Sequence, residues 1–115
     1  MIIKKEDMKI QSRPRLRDGN GTVDFLHIVP ESFRPEKCRL FSMMILEKGC
    51  SAGKHEHTNE TEIYYVLEGE GIINDNGTIR PFLPGDCNIC GSGDFHSVSN
   101  ENDEPLKMMA VIIKD

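Results

Sequence analysis

Residues that favour turns, namely Gly, Pro, Asn and Asp, interrupt this chain at short intervals along nearly its whole length. The segments between them are rich in β-branched, aromatic and methionine residues, and none has the sustained 3.6-residue apolar period of an amphipathic helix. Short apolar runs bounded by turn residues are typical of a β-sandwich or β-barrel. The sequence therefore predicts an all-β fold.

Nine segments are predicted as strands. The pair Asn76-Gly77 between two of them favours a type I′ hairpin turn, in which both central residues have positive φ. The predicted strands are Thr22–Val29, Arg39–Leu46, Ser51–His57, Glu62–Leu67, Gly71–Asn74, Thr78–Phe82, Asp86–Cys90, His96–Asn100 and Leu106–Ile113.

A chain of 115 residues is the size of one domain with one core. We expect residues 22–115 to form the barrel and residues 1–21 to be an N-terminal extension that adds or swaps a strand. The runs 40–46 and 108–113 are apolar on both strand faces, although the outer face of a lone antiparallel barrel would meet water. This pattern predicts that a partner covers the outer face, and we expect a homodimer.

The charge balance argues against two classes of partner. The chain has 14 Lys and Arg against 19 Asp and Glu, a net charge of −5, and its basic residues look scattered along the sequence. Nucleic acid or an anionic membrane surface would be repelled. The first residues contain no signal-peptide core and no run is long enough to span a membrane, so a cytoplasmic location is expected.

Four cysteines, at positions 38, 50, 87 and 90, are expected to stay reduced in such a chain. Cys87 and Cys90 have the spacing of a zinc or redox motif, but no second close pair accompanies them. On a strand, residues three apart point to opposite faces and cannot bind one ion. We interpret both as packing residues.

Three of the four histidines and one glutamate form the main candidate site. His55 and His57 lie two apart on a predicted strand, so their imidazoles share one face. Glu62 begins the next strand and can return a carboxylate to the same side, and His96 follows a turn that contains Gly91 and Gly93. Three imidazoles and one carboxylate leave two positions of an octahedron open, which suits a divalent metal that also binds a substrate or dioxygen.

These residues resemble the two sequence motifs of the cupin superfamily. The first motif, G-x5-H-x-H-x4-E-x6-G, is matched over residues 49–69 by Gly49, His55, His57, Glu62 and Gly69. The second, G-x5-P-x-G-x2-H-x3-N, is matched over residues 85–100 by Gly85, Gly93, His96 and Asn100, with Gly91 where the family has proline.

The resemblance implies a single cupin domain, a double-stranded β-helix or jelly roll with a metal inside the barrel. It also implies that His55, His57, Glu62 and His96 are the ligands of one manganese, iron, nickel, zinc or copper ion per chain. The sequence does not choose among these metals.

Other residues carry weaker hypotheses. Tyr64 shares the inward face with Glu62 and is the candidate catalytic residue, as a proton donor or by orienting a bound oxygen. His27 is interpreted as a hydrogen-bonded strand histidine and Glu60 as a solvated loop residue. Arg39 and Arg80 would bind a substrate carboxylate if they point inward. The methionines at 43, 44, 108 and 109 are interpreted as core filler.

The leading hypothesis for function is a metal-dependent enzyme that acts on a small carboxylate or enediol metabolite by Lewis-acid or dioxygen chemistry. The alternative is a non-catalytic module that senses or stores a small ligand or a metal. A third reading, a relative of sugar-phosphate isomerases, needs a cationic phosphate pocket, for which Lys54 is the obvious candidate. Fold alone does not decide among these.

Overall fold

The computed structural model describes all residues, 1–115. Ten strands and three short 3-10 helices make up the regular structure, which confirms the all-β prediction. The helices are Lys5–Asp7, Leu16–Asp18 and Glu31–Phe33. The strands are β1 (Ile10–Pro14), β2 (Thr22–His27), β3 (Cys38–Leu46), β4 (Ser51–Glu56), β5 (Glu60–Glu68), β6 (Gly71–Asp75), β7 (Thr78–Phe82), β8 (Cys87–Cys90), β9 (Phe95–Ser99) and β10 (Leu106–Lys114).

Two antiparallel sheets form the barrel. One has six strands in the order β1-β2-β3-β10-β5-β8, and the other has four in the order β4-β9-β6-β7. From β3 onward the chain crosses repeatedly between the sheets, which gives the jelly-roll arrangement expected from the sequence. None of the helices has the length and apolar character that a membrane crossing requires.

The core lies between the two sheets. In β10, alternate residues from Leu106 to Ile112 are buried, and the residues between them are half-buried on the outer face. Met44 and Met108 belong to the core as predicted, whereas Met43 and Met109 lie on the outer face. Their placement as core filler was wrong, because neighbouring residues of a strand point to opposite sides.

The N-terminal residues add a strand to the larger sheet. β1 pairs with β2 from Ile10↔Leu26 to Pro14↔Thr22. A turn that contains Arg15 and Arg17 follows β1 and packs against β4. The extension therefore lies next to the histidine-bearing strand.

Some strand limits differ from the predictions. β5 begins at Glu60 rather than Glu62, because Glu60 and Thr61 pair with the last residues of β10. β4 ends at Glu56, so His57 lies in the turn that follows rather than on the strand. In the β6–β7 hairpin, Asn76 and Gly77 have φ of 50° and 95°, as the type I′ turn requires.

Asn100 closes the end of the barrel opposite to this turn. Its side chain is fully buried and donates hydrogen bonds to the carbonyls of Leu46 and Glu104, at 2.8 and 2.9 Å. Its backbone carbonyl accepts from the N–H of Gly49 at 2.7 Å. Gly49 and Asn100, both residues of the cupin-like motifs, therefore stabilise the connections between strands rather than the candidate site.

Two glycines with positive φ allow a matched test of the packing. At Gly69, φ is 80° and a Cβ atom would collide with the carbonyl oxygen of Pro105, whereas at Gly77 φ is 95° and a Cβ would meet nothing within 4 Å. We expect Gly77→Ala to cost about 1–2 kcal/mol for the left-handed backbone alone, and Gly69→Ala to cost clearly more. Denaturant unfolding of the two variants measures the difference, and equal losses of stability would contradict the packing described here.

Candidate metal centre

The four predicted ligands come together inside the barrel. His55 on β4 pairs directly with His96 on β9, which places their side chains next to each other. Glu62 lies on β5 in the facing sheet, and His57 lies in the turn between β4 and β5. One potential ligand atom from each residue lies within 4.8 Å of all the others.

The ligand atoms surround one point. Glu62 Oε1 lies 2.9 Å from His96 Nε2, 3.0 Å from His57 Nε2 and 3.4 Å from His55 Nε2. His96 Nε2 lies 3.0 Å from His55 Nε2 and 3.2 Å from His57 Nε2. All four side chains are nearly excluded from solvent, with exposed fractions between 0% and 7%.

The other nitrogen of each imidazole is held by an oxygen acceptor. Each Nδ1–H donates a hydrogen bond of 2.7 Å, and this fixes both the tautomer and the ring orientation. The acceptors are the Gly53 carbonyl for His55, the Glu60 carboxylate for His57 and the Asn88 amide oxygen for His96.

Because Nδ1 carries the hydrogen in each ring, three Nε2 lone pairs and a carboxylate oxygen face one another at about hydrogen-bond distance. Such an arrangement is repulsive unless positive charge lies between the atoms. Three imidazole nitrogens and one carboxylate oxygen are suitable donors for several divalent transition metals. The chemistry of these residues therefore fits a bound metal ion without selecting which one.

The pKa directions agree with a site that favours positive charge. Burial alone would raise the pKa of Glu62, but the hydrogen bonds that His55, His57 and His96 donate to its carboxylate when their Nε2 atoms are protonated outweigh burial, so the pKa lies well below its ordinary value. The hydrogen bond that a protonated His57 donates from Nε2–H to Glu62 is the main reason that the pKa of His57 is raised. Burial lowers the pKa of His96, which favours the neutral, ligating form of that ring.

Glu60 is part of the centre and not a solvated loop residue. Its side chain is 14% exposed, and besides His57 it binds Arg39 through two hydrogen bonds of 2.8 and 2.9 Å. The hydrogen bond with Arg39 is also the main reason that the pKa of Glu60 is lowered. The prediction failed because β5 starts two residues early, so Glu60 and Glu62 share the inward side.

The turn before His96 is bonded to the turn that carries His57. The His57 carbonyl accepts from Gly93 N–H at 2.8 Å, and its N–H donates to the Asp94 carbonyl at 3.1 Å. Gly93 has φ of 88° as expected, but Gly91 has no positive φ. Gly91 N–H donates to the Asp94 carboxylate at 3.1 Å, and this bond fixes the turn where the family motif has proline.

A cavity of about 450 Å³ opens onto the centre. Its walls include His55, His57 and Glu62, and Glu62 is the only carboxylate among them. Four arginines also line it, at positions 13, 15, 17 and 39. Arg39 was a candidate from the sequence, but the other three were not predicted, because the basic residues look scattered along the chain even though RPRLR contains alternating arginines.

Tyr64 also lines the cavity and is 1% exposed. Its ring stacks on that of His96, with ring centres 4.6 Å apart and planes 6° from parallel. Burial, followed by the negative charge of Glu62, raises the pKa of Tyr64 well above its ordinary value. The phenol therefore keeps its proton at neutral pH.

The remaining candidates lie elsewhere. Lys54 packs its ammonium over the ring of Phe95, 4.3 Å from the ring centre, and Arg80 is exposed on β7. Neither residue lines this cavity.

His27 is hydrogen-bonded as expected, with Nδ1 2.7 Å from Ser42 Oγ. All four cysteines are free thiols, and Cys87 and Cys90 point to opposite faces of β8.

Comparison with known proteins identifies the family. The family model of the cupin domain matches residues 42–112, more than half of the chain. This chain is a cupin. The match includes all four residues of the candidate metal centre, but the arginines at positions 13, 15, 17 and 39 lie outside it.

Two similar proteins come from Thermotoga maritima. An oxalate-binding protein is 37% identical to this cupin over 113 residues, which are 98% of this chain and 93% of that protein. The crystal structure of a predicted oxalate decarboxylase is 36% identical, with a TM-score of 0.93 and coverage of 100% of both chains. A cupin sugar phosphate isomerase from Silicibacter pomeroyi shares the fold, with 21% identity, a TM-score of 0.80, and coverage of 100% of this chain and 76% of that one.

Glu60 provides a test of how the ligands are oriented. We expect Glu60→Gln to weaken metal binding by about tenfold to a hundredfold, as is usual when a residue that orients a metal-bound histidine is changed. Glu68→Gln is the matched control, because Glu68 lies on the same strand and has only a surface ion pair with Lys107 at 3.6 Å. Competition with a metal-binding indicator dye measures both affinities, and wild-type affinity in Glu60→Gln would contradict the role assigned to Glu60.

Proposed function

We propose that this cupin binds a small carboxylate anion, with oxalate the leading candidate, on a divalent metal ion held by His55, His57, Glu62 and His96. The observation that carries the proposal is the convergence of three Nε2 lone pairs and one carboxylate in a cavity whose other charged residues are arginines. The relative named as an oxalate-binding protein, which aligns with nearly the whole chain, supports the choice of ligand.

The metal ion would supply Lewis-acid polarisation of the bound carboxylate. The protein supplies the rest of the site. The hydrogen bonds to Nδ1 keep the imidazoles aimed at the metal, and the burial of the ligands keeps competing water away. Arg39, held by Glu60, contributes a fixed positive charge to the cavity wall.

A second candidate function is catalysis on the same anion, and Tyr64 favours it. The cavity offers no free carboxylate or imidazole beyond the ligands, so general-acid chemistry would fall to the protonated phenol of Tyr64. The sugar-phosphate alternative loses the residue on which it rested, because Lys54 lies outside the cavity.

The first test is metal content followed by anion titration. Elemental mass spectrometry of purified protein is expected to find about one transition-metal ion per chain, lost in His55→Ala and kept in His27→Ala, since His27 is the one histidine outside the centre. Calorimetry is then expected to show oxalate binding to the metal-loaded protein and none to the metal-free protein.

A protein that takes up no metal on titration would refute the proposed site. Metal uptake without oxalate binding would refute the proposed ligand. Turnover of oxalate that Tyr64→Phe abolishes, with the oxalate affinity unchanged, would favour the enzyme over the binding protein.

We also propose that the chain forms a homodimer through the outer face of the six-stranded sheet. This face carries two rows of apolar side chains, which are Met43, Met109 and Tyr65 in one row and Phe41, Val111, Ile63 and Ile89 in the other. A continuous apolar face of this kind favours association.

Sedimentation at micromolar concentration tests the dimer. The mass obtained from sedimentation of the wild type is expected to be twice the chain mass of 13.0 kDa. Ile89→Lys, on the outer face, should shift the chain toward monomer, whereas Ile79→Lys, which is similarly exposed on the other sheet, should not. A monomeric wild type would contradict the proposal.

A further inference from the structure

The segment from Arg13 to Arg17 carries three arginines at alternating positions, and all three line the cavity above the metal centre. Their side chains are exposed, and none forms an ion pair with an acidic residue. Arg39, the fourth arginine of the cavity, is by contrast held by Glu60. Three uncompensated positive charges in a chain of net charge −5 are a local reversal of the overall charge.

The backbone of this segment adopts an unfavourable conformation. Arg15, Arg17 and Asp18 have φ of 51°, 53° and 61°. Left-handed conformations are costly for residues with a Cβ atom and persist only where the surrounding structure imposes them. Such strain is concentrated at ligand-binding and active sites.

Close backbone packing imposes this conformation. A Cβ at Gly53 would collide with the carbonyl of Arg17, and a Cβ at Gly19 would collide with the carbonyl of Ser51. Gly53 is also the residue whose carbonyl orients His55. The arginine segment is therefore attached directly to the strand that positions a metal ligand, so the distance between the two is fixed by the fold.

The charge of the centre shows what these arginines are needed for. A divalent ion with Glu62 and three neutral imidazoles has a net charge of +1, which a monoanion neutralises. A dianion leaves one excess negative charge beside ligands that are nearly excluded from solvent, and this is costly unless a cation is close. Arginine binds carboxylates through paired hydrogen bonds and keeps its charge at any physiological pH.

We propose that Arg13, Arg15 and Arg17 form an anion-recognition rim, which makes the cavity selective for small dianionic carboxylates over monoanionic ones. This inference rests on the proposed function, because it takes the ligand to be a carboxylate on the metal. It assigns the recognition of the second charge to the N-terminal segment rather than to the metal centre.

The test compares a dianion with a monoanion of similar size on Mn²⁺-loaded protein. Oxalate and glycolate are titrated by calorimetry into wild type, the triple variant R13Q/R15Q/R17Q and the control Arg80→Gln, whose arginine is exposed on β7 outside the cavity. We expect the triple variant to weaken oxalate binding by about tenfold or more, given the usual strength of hydrogen bonds to charged groups. Glycolate affinity should change by less than about threefold, and Arg80→Gln should match wild type for both anions.

Two further variants separate recognition from folding. The triple variant is expected to retain wild-type metal content and melting temperature, because the three side chains are exposed and none forms an ion pair. R13K/R15K/R17K keeps the charge but loses the paired hydrogen bonds, and it should restore part of the preference for oxalate.

The outcomes distinguish the two proposals. Wild type that binds oxalate, together with a triple variant of unchanged oxalate-to-glycolate preference, overturns the recognition rim and leaves the proposed function intact. Equal weakening of both anions also overturns it, because this would be a general loss of positive charge. Wild type that binds metal but neither anion overturns the proposed function and the rim together.

Discussion

The mutual repulsion of four electron-rich atoms is the constraint on which this structure depends. Five of the six distances among the three Nε2 atoms and Glu62 Oε1 are 2.9–3.4 Å, and the side chains are nearly excluded from solvent. Each ring could turn away if it were free, but its Nδ1–H is bound to an acceptor: the Gly53 carbonyl on the same strand for His55, the Glu60 carboxylate on β5 for His57 and the Asn88 amide on β8 for His96. The stability of the surrounding barrel therefore maintains an arrangement that only a cation makes favourable.

The barrel can do this because the ligands come from both of its sheets. β4 and β9 bring His55 and His96 together by direct pairing, and β5 supplies Glu62 from the facing sheet. His57 is then fixed by its turn, whose backbone is bonded to residues 93 and 94. Because the Glu60 that orients His57 also binds Arg39, the centre is linked to the charge of the cavity wall.

The sequence predicted the parts of the fold that depend on local pattern. The turn residues and apolar runs indicated all nine strands of residues 22–115, and the spacing of His55, His57, Glu62 and His96 indicated the cluster that the structure brings together. It did not reveal the supporting acceptors. Gly53 acts through a backbone carbonyl, and Asn88 lies on a strand where nothing marks it as different from other polar residues.

Glu60 and the arginines of residues 13–17 were missed for a related reason. The inward direction of Glu60 depends on where β5 starts, and strand ends are set by pairing with β10 rather than by the residues themselves. The arginines lie in a segment that could only be assigned a place once β1 was paired with β2. Interactions between distant segments decide both cases, and a single sequence without a structure carries little information about them.

The residues around the cavity come from two parts of the chain, the barrel and the N-terminal segment. The metal centre is built from residues of the motifs, whose positions the barrel fixes, and similar centres therefore suit many ligands on this fold. The arginines come from the added N-terminal segment, which the barrel tolerates only in a strained conformation. If the proposed function holds, this segment lies outside the shared motifs, so its residues can change the selectivity among carboxylates without altering the four proposed metal ligands. Its close packing against Gly53, whose carbonyl orients His55, fixes its position relative to them.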